Sequence, residues 1–140
     1  MDIPQEELAK RVELSDDLCV VDDEHYFTAA RLSLPILGTD DALDFICWVS
    51  LSRQSYDRMT ASWLDPDRVN EEPYFGWFSS RLPGYPDTLN LKVKLHQQAP
   101  GIRPMIELEP TEHPLSLDLH NGISPERAKK VRDVLAHWAD

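Results

Sequence analysis

Residues 73–115, PYFGWFSSRLPGYPDTLNLKVKLHQQAPGIRPMIELEPTEHPL, decide the fold class. Leu89 to His96 alternates, with Leu89, Leu91, Val93 and Leu95 on one side and Asn90, Lys92, Lys94 and His96 on the other. A period of two is that of a strand with one buried face. Ala99-Pro100-Gly101 turns the chain and Ile102 to Glu109 supplies the next strand, so the two segments read as an antiparallel pair. Tyr74 to Ser79 reads as a further strand. Pro83, Gly84 and Pro86 make Arg81 to Asp87 a turn.

Toward the N-terminus, Leu43 to Leu51 is the most apolar strand candidate. Leu43, Phe45, Cys47, Val49 and Leu51 line one face and Ile46 and Trp48 the other, so its middle is expected to be buried on both faces. Ser52 is placed to cap a helix over about 52–64, with Leu51 and Tyr56 as a hydrophobic staple and Tyr56, Met59 and Trp63 facing inward; Pro66 stops it. Asp65 to Glu72 is an acidic loop. Leu18 to Val21 and His25 to Ile36 read as strands joined by a hairpin at Asp22-Asp23-Glu24, with a bend at Pro35. Pro4 to Glu13 reads as an N-terminal helix, with Pro4 in its first turn and Glu6 and Glu7 at its positive end.

Toward the C-terminus, Leu115, Leu117 and Leu119 alternate with Ser116, Asp118 and His120, which favours a strand; a short helix after Pro114 is the alternative. Ser124 caps a last helix over about 124–138, with Pro125 first and Ala128, Val131, Leu135 and Trp138 as its apolar stripe. The expected architecture is α+β: one domain over 1–140, a largely antiparallel sheet, an N-terminal helix, a middle helix and a C-terminal helix.

The chain has 140 residues, 41% apolar and 28% charged, enough for one hydrophobic core. Its longest apolar stretch, Phe45 to Val49, is far too short to span a bilayer. The acidic start MDIPQEELAK lacks the basic-then-apolar order of a signal peptide, which points to the cytoplasm. Net charge is −11, which opposes binding to phosphate backbones, so no nucleic-acid partner is expected. Nine acids against Lys10 and Arg11 in residues 1–24 either form a solvated face or attract a basic protein. Cys19 and Cys47 each stand in apolar surroundings without a C-x-x-C pair and read as buried reduced thiols.

Several groups carry chemistry. Lys92, Lys94 and His96 form a basic stripe, with Arg103 across from it, suited to an anion; cross-strand pairing with Glu107 or Glu109 is the plainer reading. Tyr74, Phe75, Trp77, Phe78 and Tyr85 are an aromatic cluster around Gly76, where either a ligand or core packing comes close to the backbone. The five histidines, His25, His96, His113, His120 and His137, show no metal-like spacing. Glu107 and Glu109 share a strand face. Ser50 and Ser52 lack a nucleophile elbow, and no Gly-rich phosphate loop is present. The candidate binding residues are His25, Tyr74, Trp77, Asn90, Lys92, His96, Arg103 and His113, with no catalytic or metal set.

The stretches SDDLCVVDDEHYF (15–27), WVSLS (48–52), PYFGWFSSRLPGYPDTLNLK (73–92), RPMIELEPTEHPL (103–115) and GISPERA (122–128) resemble the bacterial domain-of-unknown-function family 2199. They follow in order over nearly the whole chain. Members of that family often carry a further N-terminal segment with a C-x-x-C-G motif suited to zinc. This sequence starts after that region, so no metal or cofactor is carried over. Ser116 to Asn121 (SLDLHN) also departs from the Glu- and Gln-rich segment of the family. The resemblance implies an uncharacterised bacterial protein and supplies no reaction.

The leading expectation is therefore a non-catalytic binding or interaction module for a small ligand or a protein. A hydrolase or transferase with a site on Lys92, His96, Arg103 and His113 is one alternative. An immunity- or antitoxin-like partner of a basic protein is another. Without the family's first segment, an apolar patch would be left through which the chain pairs with a second copy. No membrane partner is expected.

Overall fold

The computed structural model describes residues 12–15, 18–82 and 84–139, and the side chains of 18–82 and 84–134. Its strands are β1 (Val12–Ser15), β2 (Leu18–Val21), β3 (His25–Pro35), β4 (Ala42–Leu51), β5 (Tyr74–Phe78), β6 (Lys92–His96) and β7 (Met105–Leu108). The helices are α1 (Arg53–Ala61), α2 (Pro114–Asn121) and α3 (Pro125–Ala139), and Pro66–Asn70 forms a 3-10 turn.

The expected α+β architecture, with a sheet described only as largely antiparallel, is corrected. Each strand pairs with the next in sequence, and β3 also pairs with β7, which closes β3 to β7 into a five-stranded barrel. The closing contact is parallel, and the reason is arithmetic. In a meander of five antiparallel strands the first and last run the same way, so a ring with an odd number of strands must contain one parallel seam. Here the seam is narrow: one pairing, Arg31 with Met105, and a hydrogen bond of 2.8 Å from the Arg31 N–H to the Pro104 carbonyl. β1 and β2 extend the first half of β3 beyond the ring.

The N-terminal helix is corrected where it can be compared. Val12 and Glu13 belong to strand β1, paired with Val20 and Cys19; the rest of that expectation, residues 4–11, lies outside the described residues. The segment 114–121 is a helix, and its leucine alternation is incidental: Pro114 opens the first turn after the His113 cap, and Leu115 and Ser116 are its buried residues. α1 ends at Ala61, short of Leu64, where Ser62 turns its backbone N–H back to Arg58 and Thr60.

Alternation decides which side chains fill the barrel. Leu32 and Leu34 of β3, all five expected residues of β4, Tyr74 and Phe78 of β5, Val93 and Leu95 of β6, and Ile106 and Leu108 of β7 are buried in one cluster. Tyr56 and Met59 of α1, Leu115 of α2, and Ala128 and Val131 of α3 pack onto the same cluster. Leu135 and Trp138, the rest of the expected α3 stripe, lie outside the residues whose side chains are described. The outer face of β4 is not buried as expected, because Ile46 is 53% exposed. Trp48, two residues on, packs against a second cluster of Cys19, Val21 and Phe27. Both cysteines are buried, and burial pushes the Cys47 thiol up to about 12.

The Asp22-Asp23-Glu24 hairpin forms without a glycine. Asp22 and Asp23 both take positive φ, 54° and 55°, and the Glu24 N–H donates to the Val21 carbonyl at 3.1 Å. That left-handed pair costs energy that glycine avoids and a β-branched residue increases. Asp23→Gly is expected to raise stability by roughly 0.5 kcal/mol and Asp23→Val to lower it by about 1 kcal/mol. Urea unfolding curves of the two variants check this; equal midpoints would contradict the turn geometry.

Candidate functional site

The outer wall of β5, β6 and β7 gathers most of the chemistry. In β5, Tyr74, Gly76 and Phe78 point inward, so Phe75 and Trp77 must point out. They remain 49% and 38% exposed and meet edge to face, with ring centroids 5.2 Å apart and planes at 83°. The register then sets rows across the wall. Phe75 pairs with Lys94, and Lys94 with Glu107; Trp77 pairs with Lys92, whose carbonyl accepts from the Glu109 N–H at 3.0 Å. The wall thus runs from aromatic to cationic to anionic across three strands.

The Lys92 ammonium stands 6.0 Å from the centre of the Trp77 ring, at the outer limit of a cation–π contact. His96 Nε2 lies 2.7 Å from Glu107 Oε1, and both side chains are half-exposed, so solvent screens the pair. A groove of about 370 Å³ opens on this wall between Phe75, Lys92, Lys94, Glu107, Glu109 and Pro110. Its chemistry suits recognition: an apolar platform for contact area beside charges of both signs that set orientation.

Of the candidate binding residues, the wall brings together Trp77, Lys92 and His96. Asn90 sits in the turn just before β6 with φ 65°, and its N–H donates to the Phe78 carbonyl at 2.8 Å. Tyr74 lies inside the barrel; its hydroxyl meets the Glu71 carboxylate and the Arg58 guanidinium sits 4.9 Å over its ring. Burial first, and then Glu71, push the Tyr74 hydroxyl up from its ordinary value. His25 is exposed at the start of β3. Arg103 lines a different groove, beside Arg31.

His113 is committed to structure through both ring nitrogens. Nδ1 accepts from the Leu115 N–H at 3.1 Å, which caps α2, and Nε2–H donates to the Asp87 carbonyl at 2.8 Å. That pattern requires the neutral Nε2–H tautomer. The clamp on the 81–90 loop continues at Tyr85, whose hydroxyl donates to Asp118 Oδ2 at 2.7 Å. Arg127 reaches the same oxygen from Nε at 3.1 Å and from a terminal nitrogen at 2.9 Å. Burial, with Asp118 second, pushes the Tyr85 hydroxyl up to about 12. The expected set Lys92, His96, Arg103 and His113 therefore shares no groove.

Phe75, Lys94, Glu107 and Glu109 belong to the wall although the candidate set omitted them. The signal was present: period two in Tyr-Phe-Gly-Trp-Phe places residue 75 with residue 77, opposite Tyr74. Among the described residues, no group of three or more His, Cys, Asp or Glu side chains is placed to hold a metal ion. None of the described helices is long and apolar enough to cross a membrane.

A family model described as "Uncharacterized protein conserved in bacteria (DUF2199)" matches residues 1–123. No curated protein and no solved structure matches the chain.

Proposed function

The chain belongs to the DUF2199 family of uncharacterized proteins conserved in bacteria, and on that premise we propose that it is an interaction module rather than an enzyme, docking a protein partner on the outer wall of β5–β7. One observation carries this reading. Phe75 and Trp77 stand together, exposed, beside a groove lined by two lysines of β6 and by Glu107 and Glu109 across from them. Large exposed side chains scattered singly need no explanation, but an ordered aromatic pair rimmed by charges is the make-up of an interface hot spot. The commitment of both His113 ring nitrogens to backbone partners supports a binding role over acid–base chemistry at that residue.

The net charge of −11 favours a protein partner over nucleic acid. The two buried cysteines are in keeping with a cytoplasmic setting. An immunity-like role would instead use the acidic first residues, of which Asp22, Asp23 and Glu24 stand exposed on the hairpin.

The test is a photocrosslinker placed at Lys92 of the full chain, in living bacteria that carry the protein. The adducts are identified and the affinity of each partner is then measured. Phe75→Ser with Trp77→Ser is expected to weaken the partner at least about tenfold with an unchanged unfolding midpoint. A partner held equally well by the double variant would overturn the reading. So would a catalytic turnover abolished by His96→Ala at unchanged stability.

A further inference from the structure

The barrel seam holds a second groove, of about 320 Å³, lined by Arg31, Ile46, Gly101, Ile102 and Arg103. Its construction follows from the seam itself. Arg31 is an outward residue of β3, with Ile46 beside it on β4 and Met105 beside it on β7. The loop into β7 passes next to this row and contributes Ile102 and Arg103.

The electrostatics are unusual for this chain. It has 25 acidic residues against 14 lysines and arginines, so carboxylate partners are plentiful. Arg53, Arg58 and Arg127 each pair with one. Arg68 is surrounded by carbonyl oxygens. Arg31 is different. It is half-buried, its Nε–H donates to the Met105 thioether at 3.0 Å, and among the described residues it pairs with no carboxylate. A thioether is a weak acceptor. A half-buried guanidinium whose fork faces a groove is thus left short of the oxygen acceptors that its geometry matches in pairs. The two isoleucines of the same groove are 53% and 52% exposed, an apolar wall beside the charge.

We propose that this seam groove binds a small amphiphilic carboxylic acid: Arg31 and Arg103 take the carboxylate, and Ile46 and Ile102 cover its apolar chain. The volume is at the small end for ligand sites and suits a short molecule. A singly charged ligand also meets less repulsion from the acidic protein than a phosphate does. An inorganic anion would leave both isoleucines uncovered. The site is separate from the aromatic wall, so it stands whether or not Phe75 and Trp77 dock a partner.

Hexanoate is the probe, titrated into the full chain and followed by the methyl signals of Ile46 and Ile102. The expected result is saturable binding at least about tenfold tighter than that of 1-hexanol or of inorganic phosphate, weakened by added salt. Arg31→Gln is expected to remove the saturation. Because Arg31 lies at the seam, the exposed Arg103→Gln serves as the second variant, expected to weaken hexanoate several-fold in a protein of unchanged unfolding midpoint. Phe75→Ser with Trp77→Ser is expected to leave hexanoate binding as it was. Hexanoate binding no tighter than hexanol, no saturation, or equal binding by Arg103→Gln would each overturn the proposal.

Discussion

Arg68→Met is expected to be among the most damaging single substitutions, costing about 4 kcal/mol. Arg68 is 2% exposed, yet among the described residues no carboxylate forms an ion pair with it. Its guanidinium instead donates to four backbone carbonyls. Nε reaches Gln98 at 2.6 Å, one terminal nitrogen reaches Trp63 at 3.0 Å, and the other reaches Ala99 at 2.9 Å and Ile102 at 3.0 Å. The group also lies 5.5 Å from the centre of the Trp63 ring. One side chain thus ties the end of α1 and the 3-10 turn to the loop between β6 and β7. Methionine keeps much of the volume but orphans those carbonyls, and each buried unpaired acceptor costs roughly 1–3 kcal/mol. Arg68→Lys keeps the charge and loses the planar fork, so about half the damage is expected. Urea unfolding at neutral pH checks both. Arg68→Met within about 1 kcal/mol of the parent would mean that water replaces the guanidinium without penalty. Since a domain of this size is stable by only about 5–15 kcal/mol, the variant should also lose soluble yield on warming.

Gly76→Ala is expected to cost about 3 kcal/mol, and Gly76→Val to prevent folding. Gly76 points into the barrel where β5 lies against β4, paired with Leu51. A Cβ added there would stand 2.7 Å from the Ser50 carbonyl oxygen, 2.7 Å from Val49 Cγ1 and 3.2 Å from Leu51 Cδ2. The nearest obstacle is backbone, which cannot rotate away, so the two strands would have to separate and weaken the pairing that follows. Crowding a packed core costs about 1–3 kcal/mol when side chains can shift, and this position sits at the upper end because they cannot. Circular dichroism melts of the alanine variant give the magnitude, and an unshifted melting temperature would show that β5 can move outward freely. The glycine also bears on the candidate wall, because Phe75 and Trp77 on either side of it ride on the strand that this close approach seats against β4.

The aromatic wall was half legible. Alternation tells which side of each strand a residue takes, so Trp77, Lys92 and His96 could be placed on polar faces by counting. Which lysine stands beside which aromatic depends on register between strands far apart in the chain. Glu107 and Glu109 could be foreseen as partners of the basic stripe, and His96 does meet Glu107. His113 could not be interpreted at all from its neighbours. Its role needs the Leu115 N–H in front of it and the Asp87 carbonyl of a distant loop behind it. Tyr74 fell among the binding candidates because an aromatic beside Trp77 looks accessible until period two is applied strictly.

By itself the sequence determined the inward row of β4, the buried face of β6, where α1 and α3 begin, and the antiparallel pairing of β6 with β7. These rest on local physics: a pleat of period two, a serine oxygen that accepts a free N–H of the first turn, and a Pro-Gly turn between adjacent strands. The Ser55 N–H donates to Ser52 Oγ and the Arg127 N–H to Ser124 Oγ, both at 3.1 Å, as local rules require. Only the tertiary structure decided that the sheet closes. Closure depends on Arg31 meeting Met105, 74 residues later, through a single parallel pairing that leaves no periodic mark on either segment. The helix at Pro114–Asn121 was decided in the same way. Its leucines satisfy a strand pattern equally well, and what selects the helix is the His113 cap, held by a loop that the fold brings to it.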